Sequence, residues 1–413
     1  MEKYLDFSET LFDITEKYPE TIPVFVSNGF PQLGDEGKRE KFGRTLTLKN
    51  ALVFKKINQA VFGGLLTETI SREREKGLLD PGSHIDREKS DTLKIEGLLP
   101  CPVRIPLTES LEAFIDDYKK NNEYEIQHEL KAASMGLDWL KESLVGEEDE
   151  SKLSDLFISA GFDLFFDEKL MGKFKKRGVF RDMTGFKKLN PLFDNDEVDL
   201  KDPKGHYSLI SVVPAVFLVN KNELNGRRKP VSWKDLLSPE FEKSVSLPIG
   251  DFDLFNAILL NIYKKYGEDA VAKLGKSLLE SMHPSQMVKS ERKKTDRPTV
   301  TIMPYFFTKM TKGDGPMEAV WPEDGSIISP IFMLSKTGKE EKLKPLIDFF
   351  ASVEVGEILA HRGLFPSTHP GVDNRIPDSN KFMWIGWDYI YANDIAALLK
   401  KCETLFNRSA EAK

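Results

Sequence analysis

Two long apolar, β-branched runs dominate the pattern of the chain, Ser208 to Val219 (SLISVVPAVFLV) and Ser326 to Ser335 (SIISPIFMLS). Short continuous apolar runs of this kind read as strands buried on both faces. Each carries a proline near its middle, Pro214 and Pro330. Proline has no N–H to give to a ladder, so each run is expected to bend, bulge or lie at an edge there. The second run is introduced by Pro322-Glu323-Asp324-Gly325, a turn whose Asp-Gly pair supplies the positive φ that tight turns need. A buried strand behind such a turn can deliver acidic and backbone groups to the mouth of a cleft, although the same turn would also serve as a plain hairpin connection.

The remaining periodicity divides the chain. In residues 1–70, Leu11, Ile14 and Tyr18 precede Pro19, Pro23 to Val26 lead to Gly29, and Leu48, Leu52, Phe54, Ile57 and Val61 recur at near-helical spacing. This pattern predicts a small all-α domain. Residues 71–92 (SREREKGLLDPGSHIDREKSDT) are charged, contain a Pro-Gly pair and predict a linker. From Leu93 the pattern alternates: LKIEGLLP as a strand, Leu107 to Tyr118 as a helix, Tyr124 to Leu130 as a strand, Met135 to Leu144 as a helix, and Leu153 to Ser159 as a strand. A βαβα order predicts a mostly parallel sheet covered by helices, with ligands held outside the carboxyl ends of the strands. The loops to search are therefore Cys101 to Pro106, Ala132 to Gly136 and Ser159 to Asp163.

Between the two proline-bearing runs the alternation resumes. A short helix capped by Ser232, a strand at Ser244 to Pro248, a turn at Ile249 to Asp253, helices at Leu254 to Tyr266 and Ala270 to Met282, and a strand at Thr299 to Met303 are predicted. The expected fold class is α/β, with a second lobe inserted between two crossover strands. Lobe 1 is expected at 93–212 plus 328–413 and lobe 2 at 213–327.

Composition narrows the function more than the fold. The 413 residues are 40% hydrophobic and 30% charged with a net charge of -7, and no lysine or arginine block is long enough to track phosphates, which argues against nucleic acid as a partner. The densest basic stretch, Lys289 to Arg297, has Glu291 and Asp296 inside it. Cys101 and Cys402 are the only cysteines, which excludes a disulfide framework and suits a reducing compartment. MEKYLDFSETLFDITEKYPE has no apolar core of a signal peptide, and no apolar run elsewhere could span a bilayer. The expectation is a cytoplasmic protein without membrane insertion, or a periplasmic or extracellular one if an upstream leader has been lost. There is no G-x-S-x-G, H-E-x-x-H, P-loop or dinucleotide fingerprint, so the chain is expected not to be an enzyme and to need no cofactor.

Two stretches carry resemblances. KYPETIPVFVSNGF followed by TLTLKNA resembles a small domain of unknown function, read here as a docking or dimerisation module. PVSWKDLLSPEFEKSVSLPIGDFDLFNAILLNIYKKYGEDA is similar to the second lobe of the extracellular solute-binding proteins of ABC transporters, in the branch that binds iron, thiamine, polyamines and similar solutes. VWPEDGSIISPIFMLSK followed by LKPLIDFFASVEVGEILAHRGLFPS resembles that family's return strand, C-terminal helix and turn. The resemblance covers roughly residues 93 to 400. It implies a type 2 periplasmic-binding fold that closes on a small molecule or metal ion by a hinge motion, without catalysis, and hands it to an ABC permease if the protein is exported.

The resemblance places ligand contacts on the loops found from topology. These are Cys101, Ser134, Ser159 and Ala160 in lobe 1, then Gly250, Asp251, Asp253, Pro304 and Tyr305 in lobe 2, with Asp324 on the crossover turn. Asp251 and Asp253 are expected first as caps of the following helix. If they converge with Glu323 and Asp324, the cleft favours a cation such as a polyamine, an amine-bearing compound or a hydrated metal. Ferric members of the family often carry two neighbouring tyrosines, and here Tyr305-Phe306-Phe307 stands at that place, which argues against direct iron coordination. A metal site is otherwise undetermined. Two other classes remain: a cytoplasmic sensor or carrier that signals through the N-terminal domain, and an enzyme built on a solute-binding fold.

Overall fold

The N-terminal apolar positions fold into short helices, α1 (Leu11–Lys17), α2 (Ile22–Ser27), α3 (Glu36–Gly43) and α4 (Leu48–Phe54). The structure is a computed structural model that describes residues 5–27, 30–55, 59, 62–63, 66–67, 69–70, 92–121, 124–133, 137–249, 253–281, 297–310 and 315–411. Thr10 and Thr47 cap α1 and α4 by accepting from the N–H groups of Asp13 and Asn50, the standard remedy for orphan donors at a helix start. Leu11, Ile14, Phe25, Phe30, Leu48, Leu52 and Phe62 form the core of this unit. The chain divides into Met1–His84 and Ile85–Lys413. The expected linker, 71–92, lies outside the described residues except for Thr92, which already belongs to the first strand.

In the second unit, β1 (Thr92–Leu99) is buried along its whole length and runs into α5 (Cys101–Asn121). The pattern predicts this helix only from Leu107. It starts at Cys101 instead, because the N–H groups of Val103 and Arg104 reach back to the Pro100 carbonyl and close a first turn ahead of Pro106. A proline so near the start forfeits little of the helix ladder. The expected ligand loop from Cys101 to Pro106 is therefore the opening of a helix. β2 (Glu125–Ala132) lies parallel to β1, and β3 (Leu156–Ser159) flanks β1 on its other side, also parallel, with α6 (Asp138–Leu144) between β2 and β3 in sequence. Gly97 is what allows the close approach of β1 and β3, since a Cβ there would lie 1.8 Å from the Ile158 carbonyl oxygen.

Short elements α7 (Phe162–Phe165), α8 (Gly172–Lys176) and β4 (Phe180–Arg181) lead to β5 (Ser208–Asn220). Lobe 2 then adds α9 (Trp233–Leu236), β6 (Val245–Leu247), α10 (Leu254–Tyr266), α11 (Glu268–Ser277), β7 (Leu278–Ser281), β8 (Val300–Pro304) and β9 (Met317–Val320). Ser232 forms a reciprocal capping box with Asp235 at the start of α9, as its position before Trp233 predicts. The helix predicted to run to Met282 stops at Ser277, and Leu278–Ser281 joins the sheet beside β6, a case of tertiary pairing overriding local preference.

β10 (Ser326–Lys336) returns the chain to lobe 1, followed by α12 (Glu340–Phe350), α13 (Val353–Glu357), β11 (Phe382–Met383), α14 (Trp387–Ala392) and α15 (Ile395–Glu411). The sheet order is β2-β1-β3-β10-β5-β8-β6-β7, with β4 and β11 on β10 and β9 on β5. The two proline-bearing runs are thus neighbours. β5 pairs antiparallel with β10 from Ser208 to Pro214, then with β8 from Ala215 to Val219, so one strand serves both lobes. The register slips between Ile331 and Phe332, one residue past Pro330, where β5 contributes an extra residue, Ile210. Ile210 instead accepts from the N–H of Thr368, and Val212 donates to Pro366, so the RGLFPST stretch lines the outer side of β5.

Lobe 1 as predicted from the sequence runs to the C-terminus, whereas α15 packs on lobe 2. Its buried stripe of Ile395, Leu399, Cys402 and Phe406 needs a facing groove, and α11 supplies one. Gly275 on α11 opens that groove, since a Cβ there would stand 2.4 Å from the Phe406 carbonyl oxygen.

Candidate ligand cleft

The carboxyl end of β3 and the amino end of α10 meet across the lobes. Ser159 is fully buried and its hydroxyl donates to the Ala160 carbonyl at 2.6 Å, so it is turned onto its own chain. Gly161, at φ 146°, then swings the backbone into α7, and the N–H of Phe162 is left pointing out of lobe 1. It donates to Oδ2 of Asp253 at 2.8 Å. Asp253 occupies the N-cap position of α10 with φ 57°, but its side chain makes no cap to its own helix. Its other oxygen accepts from the Asn256 amide at 2.6 Å. The capping role expected of this aspartate has therefore been replaced by a bond to the opposite lobe.

Charge accumulates around that bond. Asp163, one residue past Phe162, pairs with Lys141 of α6 and keeps Oδ1 buried without a partner among the described residues. Burial and the neighbouring Asp163 charge push the Asp253 carboxyl up to about 8, against the lowering effect of the Phe162 N–H, Asn256 and Lys141. Glu403 on α15 is also raised, first by burial and then by Asp163. Burial works against the Lys141 ammonium, but its bond to Asp163 and the charges of Asp163, Asp138 and Asp253 carry its pKa upward. Four acidic side chains, Asp138, Asp163, Asp253 and Glu403, thus surround the Lys141 ammonium.

On the far side of the sheet end, Pro304 pairs with Ala215, and Tyr305 sets its ring edge-on to Trp321 at 5.2 Å between centroids. Phe306 stacks on Phe365 of lobe 1 at 6.4 Å. This makes a second lobe-to-lobe contact, aromatic where the first is polar. Cys101 begins α5, but its side chain lies outside the described residues, as do Ser134, Gly250 and Asp251 altogether.

Asp324 is not brought to this place. Its carboxylate accepts from the Trp233 N–H at 3.1 Å and from the Tyr266 hydroxyl at 2.6 Å, and the Trp233 indole donates to Gly325 at 2.9 Å. Tyr266 closes α10 and Asp253 precedes it, so the two aspartates stand at opposite ends of one helix, about 20 Å apart at 1.5 Å per residue. The convergence of Asp253 with Asp324, on which the sequence reading made a cation-favouring cleft conditional, is therefore ruled out by the length of α10. Asp163 ends the Ser159 to Asp163 stretch that topology had marked for search and stands in the first turn of α7, while Lys141 and Glu403 sit inside helices with no local signal.

Two lobes joined by a shared pair of long strands, with their facing loops in contact, define a two-lobed solute-binding protein. Residues 151–393, more than half of the chain, match the bacterial extracellular solute-binding protein family, and the protein belongs to it. Residues 5–62 match a domain of unknown function, DUF1858. No curated protein sequence matches the chain. Among solved structures, the fold is similar to the apo ferric ion-binding protein A of Pasteurella haemolytica, with a TM-score of 0.55, 13% identity, and coverage of 77% of this chain and 99% of that one. It is similar also to the periplasmic binding protein AfuA of Actinobacillus pleuropneumoniae with bound fructose-6-phosphate (0.51, 15%, 77% and 98%). A third is the Trichodesmium IdiA/FutA protein in complex with iron and citrate (0.52, 11%, 76% and 99%). At these identities the likeness is one of fold. Membership in the family makes solute binding the function of the two-lobed unit.

Proposed function

We propose that the cleft between β3 and the start of α10 takes a small solute bearing a positive charge, and that β5 and β10 flex as the lobes close on it. One observation carries this reading: the Asp253 carboxyl is buried between the Phe162 N–H of the opposite lobe and Asn256, beside Asp163 whose Oδ1 is buried without a partner among the described residues, and burial with the Asp163 charge favours its protonated form. A solute ammonium or a metal cation supplies a counter-charge, displaces the proton and ties the two lobes at the same point. Ser159 and Ala160 at the end of β3 and Pro304 and Tyr305 at the end of β8 are proposed as solute contacts once the lobes part, and Cys101, Ser134, Gly250 and Asp251 are proposed from the sequence pattern alone. Asp324 serves the framework of lobe 2. The replacement of a second tyrosine by Phe306 supports an organic cation over a ferric ion.

The test is calorimetric titration with spermidine, thiamine and ferric ion on one side and citrate and fructose-6-phosphate on the other. Cation binding that releases a proton at pH 7 and weakens about ten-fold or more in Asp253→Asn supports the reading. Absence of cation binding, cation affinity unchanged in Asp253→Asn, or an anion that slows hydrogen exchange at 159–163 and 253–256 overturns it.

The family description is extracellular, and we infer that the protein works outside the cytoplasmic membrane with an ABC permease as its partner. Among the described residues no helix is long and apolar enough to cross a membrane. Protease treatment of intact cells separates this placement from a cytoplasmic carrier, since only an exposed protein is degraded. We also infer that the unit is not an enzyme, because the Ser159 hydroxyl at the cleft is committed to the Ala160 carbonyl. Recovery of any bound solute unaltered after incubation checks that statement.

A further inference from the structure

A second cavity of about 560 Å³ lies in lobe 1, where α8 and the loop before β5 meet the connection between α14 and α15. None of the cleft residues lines it. Its charged lining is mostly basic: Lys175, Lys176, Lys204 and His206 stand against Glu168 and Asp394. The acids are already engaged. Glu168 pairs with Lys176 at 2.9 Å, and Asp394 accepts from the N–H of Ala397 at 2.9 Å as the cap of α15. Asp202, just behind the wall, accepts from the N–H groups of Lys204, His206 and Tyr207 and from the Tyr391 hydroxyl. Lys175 and Lys204 are left over. Neither has a carboxylate partner among the described residues, and both ammonium groups rest near the Tyr391 ring, at 5.3 Å and 3.9 Å from its centroid. A ring face orients an ammonium but leaves its N–H donors free for another acceptor.

We propose that this cavity is a binding site for a small phosphate-bearing anion, gripped by Lys175 and Lys204 over Tyr391. Burial lowers the pKa of Lys175, with the Lys204 charge adding to the effect, and an anion between the two lysines relieves both costs at once. The cavity falls in the size range of small-molecule sites and exceeds what inorganic phosphate alone would fill, so a phosphomonoester fits the chemistry and the space better. Because the wall includes Tyr391 to Ile395, a bound anion would fasten the segment leading into α15 onto lobe 1.

The experiment is calorimetric titration of the full chain with inorganic phosphate and, separately, glycerol phosphate, combined with hydrogen exchange to locate the site. Saturable binding is expected, tighter for glycerol phosphate, with slowed exchange in peptides covering 204–207 and 390–397. In the double variant Lys175→Met, Lys204→Met the affinity should fall about ten-fold or more, while the methionines keep the apolar stems in place. Equal affinity for both probes would assign the site to phosphate itself. No saturable binding, unchanged affinity in the double variant, or protection confined to 159–163 and 253–256 would overturn the proposal. The last outcome would locate the anion in the interlobe cleft and count against the cation reading there, whereas the first two leave that reading intact.

Discussion

Asp253 gathers the most physical consequence of any single residue. Its folded pKa of about 8 lies above the ordinary value of 3.8, so the folded protein holds a proton that the unfolded chain releases. The sign follows: the stability tied to this group is fully present below about pH 4, declines as pH rises, and is lost above about pH 8, with a slope of up to about 1.4 kcal/mol per pH unit. Asp253→Asn, which keeps the shape without the charge, should flatten urea-unfolding stability over that window. Asp324 makes the opposite prediction. With Trp233 N–H and the Tyr266 hydroxyl both relying on it, Asp324→Ala should cost about 1–3 kcal/mol in unfolding free energy and leave cation affinity unchanged. The two acids look alike in sequence, each beside a turn and a hydrophobic run, and only their partners separate framework from cleft.

At the scale of elements, periodicity located most helices and strands, and its failures have identifiable causes. α5 begins ahead of Leu107 because Pro100 offers a carbonyl to close the first turn. Leu278–Ser281 leaves a helical pattern because β6 presents an open edge for it. β4, β9 and β11 are too short for any alternation to show and exist through pairing to β5 or β10. The seat of α15 is equally a matter of contact. Its fit against α11 depends on the missing side chain of Gly275, and Gly275→Ala should destabilise the protein by about 1–3 kcal/mol through overpacking. Limited proteolysis should then cut first within 395–411, and the wild-type chain is expected to resist there.

For the whole molecule, β5 and β10 pair across both lobes and are the hinge in the proposed closure, and the bond between Phe162 N–H and Asp253 marks the lobes in contact. Hydrogen exchange of peptides spanning 160–166 should slow when a cation binds, and Asp253→Ala should abolish that change without altering exchange in β1 or β8. Persistence of the effect in the variant would show that closure does not pass through this bond. The N-terminal unit has its own core and exposes Val53 and Phe54 at the end of α4.

Sequence alone determined the α/β class, the separate helical domain and the two crossover strands. These rest on local, repeated signals: apolar period, proline position and turn chemistry, each readable within a dozen residues or so. It also marked the loop holding Asp163 and the turn holding Asp253, because ligand loops follow strand ends in any sheet of this kind. Tertiary structure decided the rest. Which aspartate meets which donor depends on how far apart a helix of fixed rise holds its two ends, and on a sheet that brings Phe162 to Asp253 and Lys175 to Lys204 from distant stretches of chain. Those distances are set by packing, and no pattern of residue types along the chain encodes them.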